Sequence, residues 1–406
     1  TEIYTLSLHD ALPILCNGIC SLNPHVDRLT ITCMMEIDRT GNVMNYRIFP
    51  SVINSNERMT YTNVNKILSG DAKTQKAYPH LLKMCLDMKV LAGIIRRRRE
   101  GLGAIDFDSR EAKILVDEKG KPKDIVLRER GEAERIIEDF MIAANETVAT
   151  HMKWLETPSM YRIHEAPEPK KMREFARIAK TLGYTFKGGI QDVHPKQLQA
   201  LLDEARGQDN YFVLSSFMLR SMQKARYDNR CLGHFGLGLK EYLHFTSPIR
   251  RYPDLIVHRM LRKYIFTSSE DVDKMKQDEQ WCEQAAIQAS ERERNAVDAE
   301  RTVDDMKKAE YMENYIGQRF AGVISGITKF GMFVELDNTV EGLVHISSME
   351  DDYYHYDEVS HSLIGEHTAN VYRMGQKVQV RCIDANRFKR EVDFALLTKK
   401  RGKRGR

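Results

Sequence analysis

The sequence predicts an α+β chain in which a mixed domain of helices and antiparallel sheet precedes a small five-stranded β-barrel. Three observations predict it. Period-2 hairpin patterns alternate with amphipathic helical stretches as far as residue 315. Within that part, Ser269 to Asn314 is a charge-laced stretch that keeps helical spacing without a proline. From residue 316 the pattern changes to short alternating strands punctuated by glycine.

A chain of 406 residues implies two or three domains, and a hydrophobic fraction of 42% can give each a core. The net charge of +4 is the small remainder of 62 basic and 58 acidic residues, so local charge is more informative than the sum. The seven cysteines are scattered, and no second pair complements Cys16 and Cys20 at zinc spacing. They read as free thiols in a reducing, cytoplasmic setting. No apolar run approaches the ~20 residues that cross a bilayer, so no membrane partner is expected. Residues 1–15, TEIYTLSLHDALPIL, have neither a basic n-region nor a small-residue cleavage site. SLHDALPI resembles a translated adapter read-through, and the segment is expected to be non-native.

LTITCMMEI and YRIFPSVI alternate on either side of Gly41 and predict a hairpin. Tyr61 opens a short helix, and residues 74–100 read as one helix ending in Arg96 to Arg99. That arginine run is either a solvated helix end facing the C-terminal dipole or an RNA-binding patch. Asp106 and Asp108 would share a face if they lay on a strand, although two acids alone make a weak metal site. AKILVDEKGKPKDIVLRER is a second hairpin, turning at Lys119 to Lys121. The helix that follows places Ile136, Ile137, Phe140, Met141 and Ala144 at core spacing. Three more helices are read over Met172 to Leu182, PKQLQALLDEARGQ and NYFVLSSFMLRSMQKARY.

The chemistry concentrates in Gly233 to Arg259, GHFGLGLKEYLHFTSPIRRYPDLIVHR. Adjacent Arg250 and Arg251 follow a Ser-Pro turn and precede the apolar run Leu255 to Val257. This pattern suggests guanidinium groups held rigidly at a helix start. Their planar, bidentate geometry suits phosphate better than an ammonium does.

The same stretch is similar, nearly residue for residue, to the signature of the RNB exoribonucleases. The resemblance extends over about residues 16–400, through NGICSLNPHVDRLT, IEDFMIAANE, MYRIHEAPEP and SERERNAVDAERTVDDM. It implies an RNB domain over 16–315 that degrades single-stranded RNA from the 3′ end to nucleoside 5′-monophosphates, as a monomer. Arg250 would stabilise the phosphate in the transition state, with Arg251 beside it, and Glu300 would assist the water or leaving group. Tyr61 and Glu138 match residues that read the ribose, whose 2′-hydroxyl separates RNA from DNA. Phe107 matches an aromatic that stacks on terminal bases, an ordinary core aromatic being the alternative. SPIRRYPDL and the basic tail favour the ribonuclease R branch of the family.

Residues 316–398 resemble the S1 RNA-binding domain, an OB-fold. Phe330, Phe333 and His345 match its RNA-binding positions, with Lys329 and Arg381 adding charge nearby. The acidic, aromatic insertion DDYYHYDEVSHSLIGEH is expected to form a long loop with a helical turn. The tail 399–406, KKRGKRGR, would add salt-dependent affinity for nucleic acid. The resemblance also implies Mg²⁺, held in the family by aspartates reading roughly D-x(5)-D-x-D-D. That pattern is absent from this sequence. The complete enzyme is therefore expected to carry the metal, while this chain lacks its ligands and is close to inactive. The alternative function is an RNA-binding module, through barrel and tail, without hydrolysis.

Overall fold

The structure, a computed structural model, describes residues 18–107, 111–128, 130–208, 210–267, 271–358 and 360–397. Residues 1–17 and the basic tail lie outside the described residues.

Strands β1 (Asp27–Ile37) and β2 (Val43–Asn54) form the first expected hairpin, in register from Asp27↔Asn54 to Glu36↔Asn45. Gly41 turns it with φ +91°. An added Cβ would lie 2.9 Å from the Arg98 Cβ and 3.0 Å from the Ile94 carbonyl, so only glycine fits there. Helix α1 (Tyr61–Leu68) starts where expected, with Thr60 as its N-cap. The single helix expected over 74–100 is instead α2 (Ala72–Ala77) and α3 (Pro79–Leu102). Pro79 occupies the first turn of α3, where its missing N–H costs nothing and the preceding helix cannot continue.

Strands β3 (Glu111–Val116) and β4 (Pro122–Arg128) form the second expected hairpin. Asp106 lies in an irregular segment and not on a strand, and Asp108 is outside the described residues. In α4 (Glu132–Trp154) the buried stripe is not the expected one. Ile136 is buried, but Ile137, Phe140, Met141 and Ala144 are only half-buried, and Ala133, Asp139, Ile142 and Asn145 face inward.

Strand β5 (Tyr161–Ile163) precedes α5 (Pro169–Thr181), α6 (Pro195–Ala205) and α7 (Tyr211–Ser221), which share a core around Phe175, Leu198 and Leu214. Helix α7 ends at Ser221 and does not run on to Tyr227. The chain extends instead as β6 (Arg226–Asp228), which pairs with β5. Helix α8 (Tyr252–Met260) continues into a π-helical turn at Leu261–Phe266. The expected long helix is α9 (Val272–Met312), 41 residues.

The barrel closes in the order β13-β14-β9-β8-β7, from β7 (Arg319–Thr328), β8 (Gly331–Leu336), β9 (Glu341–His345), β13 (Lys377–Asn386) and β14 (Glu391–Leu396). The insertion is not a loop with a helical turn. It supplies β10 (Tyr354–Asp357) and β11 (Ser362–Gly365), which with β12 (Val371–Arg373) make a three-stranded antiparallel sheet. Ala309 and Met312 of α9 and Ile125 of β4 join the barrel core, so the end of the long helix is packed within it.

Candidate functional site

The arginine turn is built by one carboxylate. Asp254, on the first turn of α8 and fully buried, accepts from the Ser247 N–H at 2.7 Å and from Arg251 Nη2 at 2.8 Å. Pro248 presets the turn, and the Ser247 carbonyl accepts from the N–H groups of Arg250 (3.3 Å) and Arg251 (3.0 Å). Arg251 is the N-cap residue of α8, as the sequence suggested, with its guanidinium committed to Asp254. Arg250 is half-buried immediately before it. Burial raises the Asp254 pKa, against the opposing charge of Arg251 and the two donors.

Behind the turn lies a polar network that periodicity could not show. Asn145 of α4 accepts from the Phe245 N–H at 2.9 Å and donates to the Tyr242 hydroxyl at 3.2 Å. His258 bonds the Phe245 carbonyl at 2.8 Å and stacks on that ring at 4.7 Å. The Tyr227 hydroxyl pairs with His244 Nδ1 at 3.0 Å. Burial pushes His244 well below the ordinary imidazole range, and burial with neighbouring His164 lowers His234 to about 3. These imidazoles are neutral structural partners, not acid–base catalysts at neutral pH.

Three residues of the arginine run, Arg96, Arg98 and Arg99, are committed to carboxylates of α4, while Arg97 is exposed. Arg96 and Arg99 both bind Asp139 of α4, at 2.8 and 2.7 Å, and Arg98 grips Glu146 with two bonds of 2.9 and 3.0 Å. A signal existed in the sequence: an aspartate at an apolar helical position, opposite a cluster of arginines.

The remaining site residues are spread over the fold. Tyr61 is 46% exposed at the start of α1, and Asn65 one turn later binds the Ala133 N–H and Glu134 at the start of α4. Glu138, one turn further along α4, is held by Arg130. Phe107 is half-buried against the α5–α7 core. Glu300 is half-buried on α9. Seven residues before it, on nearly the same helical face, Glu293 binds Arg162 at 2.6 Å, and the Arg162 guanidinium lies over the Tyr227 ring at 4.6 Å. Sequence reading missed Glu293, Arg162 and Asn145.

On the barrel, Met332 and Val334 point inward, while Phe333 faces out opposite Leu343. His345 pairs with Gly331 on that outer side, and Phe330 is 45% exposed in the adjoining turn. Lys329 and Arg381 are also exposed. Among the described residues, no three His, Cys, Asp or Glu side chains are grouped to hold a metal ion. No helix among them is long and apolar enough to cross a membrane.

The fold thus joins an arginine turn, fixed by a buried carboxylate in a mixed helix–sheet module, to a closed five-stranded OB-type barrel. Comparison with known proteins assigns the family. The RNB domain profile matches residues 7–267, and the S1 RNA binding domain profile matches 314–396. The chain is similar to ribonuclease R 1 of Lactococcus lactis, 46% identical over 383 residues, which cover 94% of this chain and 47% of that protein. Ribonuclease R of Aquifex aeolicus is 42% identical over 382 residues, covering 94% and 54%. Among solved structures, the apo form of Mycoplasma genitalium RNase R matches with a TM-score of 0.89 and 28% identity, covering 98% of this chain and 64% of that one. The same protein in complex with ribose methylated single-stranded RNA matches with a TM-score of 0.89 and 29% identity, over the same shares. The chain belongs to the RNB family. It spans about half the length of the curated relatives it matches.

Proposed function

We propose that the chain forms the RNA-holding part of a 3′–5′ exoribonuclease of the ribonuclease R type, which releases nucleoside 5′-monophosphates. The observation that carries this is the Arg250–Arg251 turn, fixed by a carboxylate with no exposure to water. Arg251 is bound to Asp254, and Arg250 beside it would be the cation that meets a scissile phosphate. A pre-positioned cation stabilises charge developing in the transition state without reorganising. Tyr61 and Glu138 would read the ribose, Phe107 would stack on terminal bases, and Glu300 would assist the water or leaving group. The outer barrel face, through Phe330, Phe333 and His345, would hold the incoming strand. One copy contributes all of these, so a monomer suffices. The free described cysteines suit a reducing cytoplasm.

Hydrolysis of this kind uses a divalent cation, Mg²⁺ in this reading, to activate water and steady the leaving oxygen. The described residues do not fit such a site, since they bring no donor set together. Their part is to bind and orient the strand. In a longer protein extended upstream to include the family's aspartates, Arg250→Ala should lower turnover about 10²–10³-fold. An unchanged rate would remove Arg250 from this role. The outward aromatic set on the barrel favours the second reading, RNA binding alone. This chain incubated with Mg²⁺ and labelled RNA separates the two: retention without mononucleotide release fits the absent ligands, and release shows that its own carboxylates suffice.

A further inference from the structure

We propose that the π-helical turn Leu261–Phe266 and the start of α9 build a phosphate-binding site distinct from the arginine turn. The site does not rest on the exonuclease reading. Helix α8 ends at Met260, and the wider turn that follows is closed by Thr267, whose hydroxyl donates to the carbonyls of Arg262 (3.1 Å) and Lys263 (2.7 Å). Such turns are costly and concentrate at functional sites. Between this turn and α9 lies a cavity of about 560 Å³, lined by Arg259, Arg262, Lys263, Thr267, Asp278 and Trp281. That volume is within the range of small-ligand sites.

The charges in the cavity are unequal. Asp278, the one carboxylate among the described lining residues, is taken by Lys263 Nζ at 2.5 Å and the Tyr264 hydroxyl at 2.6 Å. Among the described residues neither Arg259 nor Arg262 forms a close ion pair, although the charge of Arg259 also acts on Asp278. The Arg259 guanidinium instead lies over the Trp281 ring, 5.2 Å from its centroid. Trp281 in turn packs on the buried core around Cys282 and Ala285. Arg259 is thus an exposed guanidinium lying over an aromatic ring, and Arg262 beside it is exposed as well. Two guanidinium groups, beside a carboxylate already bonded to Lys263 and Tyr264, are suited to phosphate oxygens and not to a cation or an apolar ligand. Arg259 lies two helical turns beyond Arg251, about 12 Å along the axis, so one phosphate cannot serve both sites. Phosphate of this kind could come from a free nucleotide or from an RNA strand.

The chain carries its own reporter. Of its two tryptophans, Trp154 is 76% exposed, so Trp154→Phe leaves Trp281 as the sole tryptophan, excited selectively over the tyrosines, at little structural cost. Inorganic phosphate, AMP and a uridylate oligomer without a terminal phosphate are titrated into this variant at physiological salt. We expect a saturable change in Trp281 emission, weakened at least tenfold by adding Arg259→Ala and Arg262→Ala. Arg262→Gln alone, at an exposed position, should weaken it several-fold with an unaltered melting curve, which protects the test against misfolding of the double variant. A response to phosphate and AMP assigns the site to a terminal phosphate; a response to the oligomer alone assigns it to strand phosphates. No saturable change with any probe, or a change that the arginine substitutions leave intact, overturns the proposal.

Discussion

Around Arg250 and Arg251 the polar side chains are buried and tied to one another, whereas on the barrel Phe333 and His345 stand outside a largely apolar core. In the first region Asp254, Asn145 and His244 exchange hydrogen bonds with a turn and an extended segment. In the second, Met332, Val334 and Phe394 fill the interior, while Phe333 and His345 face out. In the proposed function, the difference separates two ways of holding the same strand. A buried network fixes one geometry and is costly to damage, because each lost partner strands another polar group in low dielectric. An exposed aromatic adapts to any base and can be removed with little structural loss.

The largest expected effect comes from breaking the network at its centre. Asp254→Ala leaves Arg251, whose side chain is only 12% exposed, without its counter-charge, and should destabilise the first module by about 3–5 kcal/mol. Both tryptophans lie in that module, so their fluorescence on melting follows it without the barrel. An unshifted midpoint would mean that the turn is held by other contacts.

Acid should separate the regions next. His234 is lowered from 6.5 to about 3, so the fold favours the neutral ring. Its stabilising contribution is complete above pH 6.5 and is lost as pH falls from there towards 3. By pH 5 this one group should cost about 2 kcal/mol, at about 1.4 kcal/mol per pH unit. On the barrel side, Asp352 is desolvated, yet hydrogen bonds from Thr368, His367 and the Tyr353 N–H bring its pKa down below 3.8. Its contribution is lost only as pH falls below about 4. Melting curves at pH 7 and 5 should therefore show the tryptophan-reported transition falling further than the barrel's.

Phe333→Ala should do the reverse, leaving the melting curve in place while weakening single-stranded RNA by about 1 kcal/mol, the low end for one stacked base. Filter binding would reveal it, and equal loss of stability and affinity would make Phe333 a core residue after all. The smallest effect is expected from Arg387→Ala. Arg387 ties the barrel to Glu310 and Glu313 at the end of α9, at 2.9 and 2.6 Å, but it is partly exposed. Its loss should cost below about 1 kcal/mol, read as a slightly wider separation between the two melting transitions.

The barrel was legible in the sequence because its alternation is strict: residues 332, 334 and 336 are buried, and 333 and 335 are not. The signature stretch was legible by residue type, which is enough to suggest phosphate chemistry. That Asp254 would reach back seven residues to the Ser247 N–H was not legible, because this contact is made by the fold and has no periodic trace. The face of α4 was misread because Asp139 and Asn145 hold buried positions that an apolar count assigns to solvent. Strands β10, β11 and β12 were missed because runs of 4, 4 and 3 residues are too short to display a period.

Helix α9 also sets a phase. Cys282 and Ala286 fix its near end in the first module, and Ala309 and Met312 fix its far end in the barrel. Each residue inserted between them would advance the far end by about 1.5 Å and rotate it by about 100°. The barrel has a second hold on the first module, where His361 lies 5.7 Å from the Phe217 ring and 4.0 Å from Glu174. One added residue therefore cannot be absorbed by rotation alone, since the two attachments would fall out of step. Seven added residues would nearly restore the angle while lengthening the helix by about 10 Å. The two attachments together thus set the length of this helix: the change of angle opposes a single added residue, and the added length opposes whole turns.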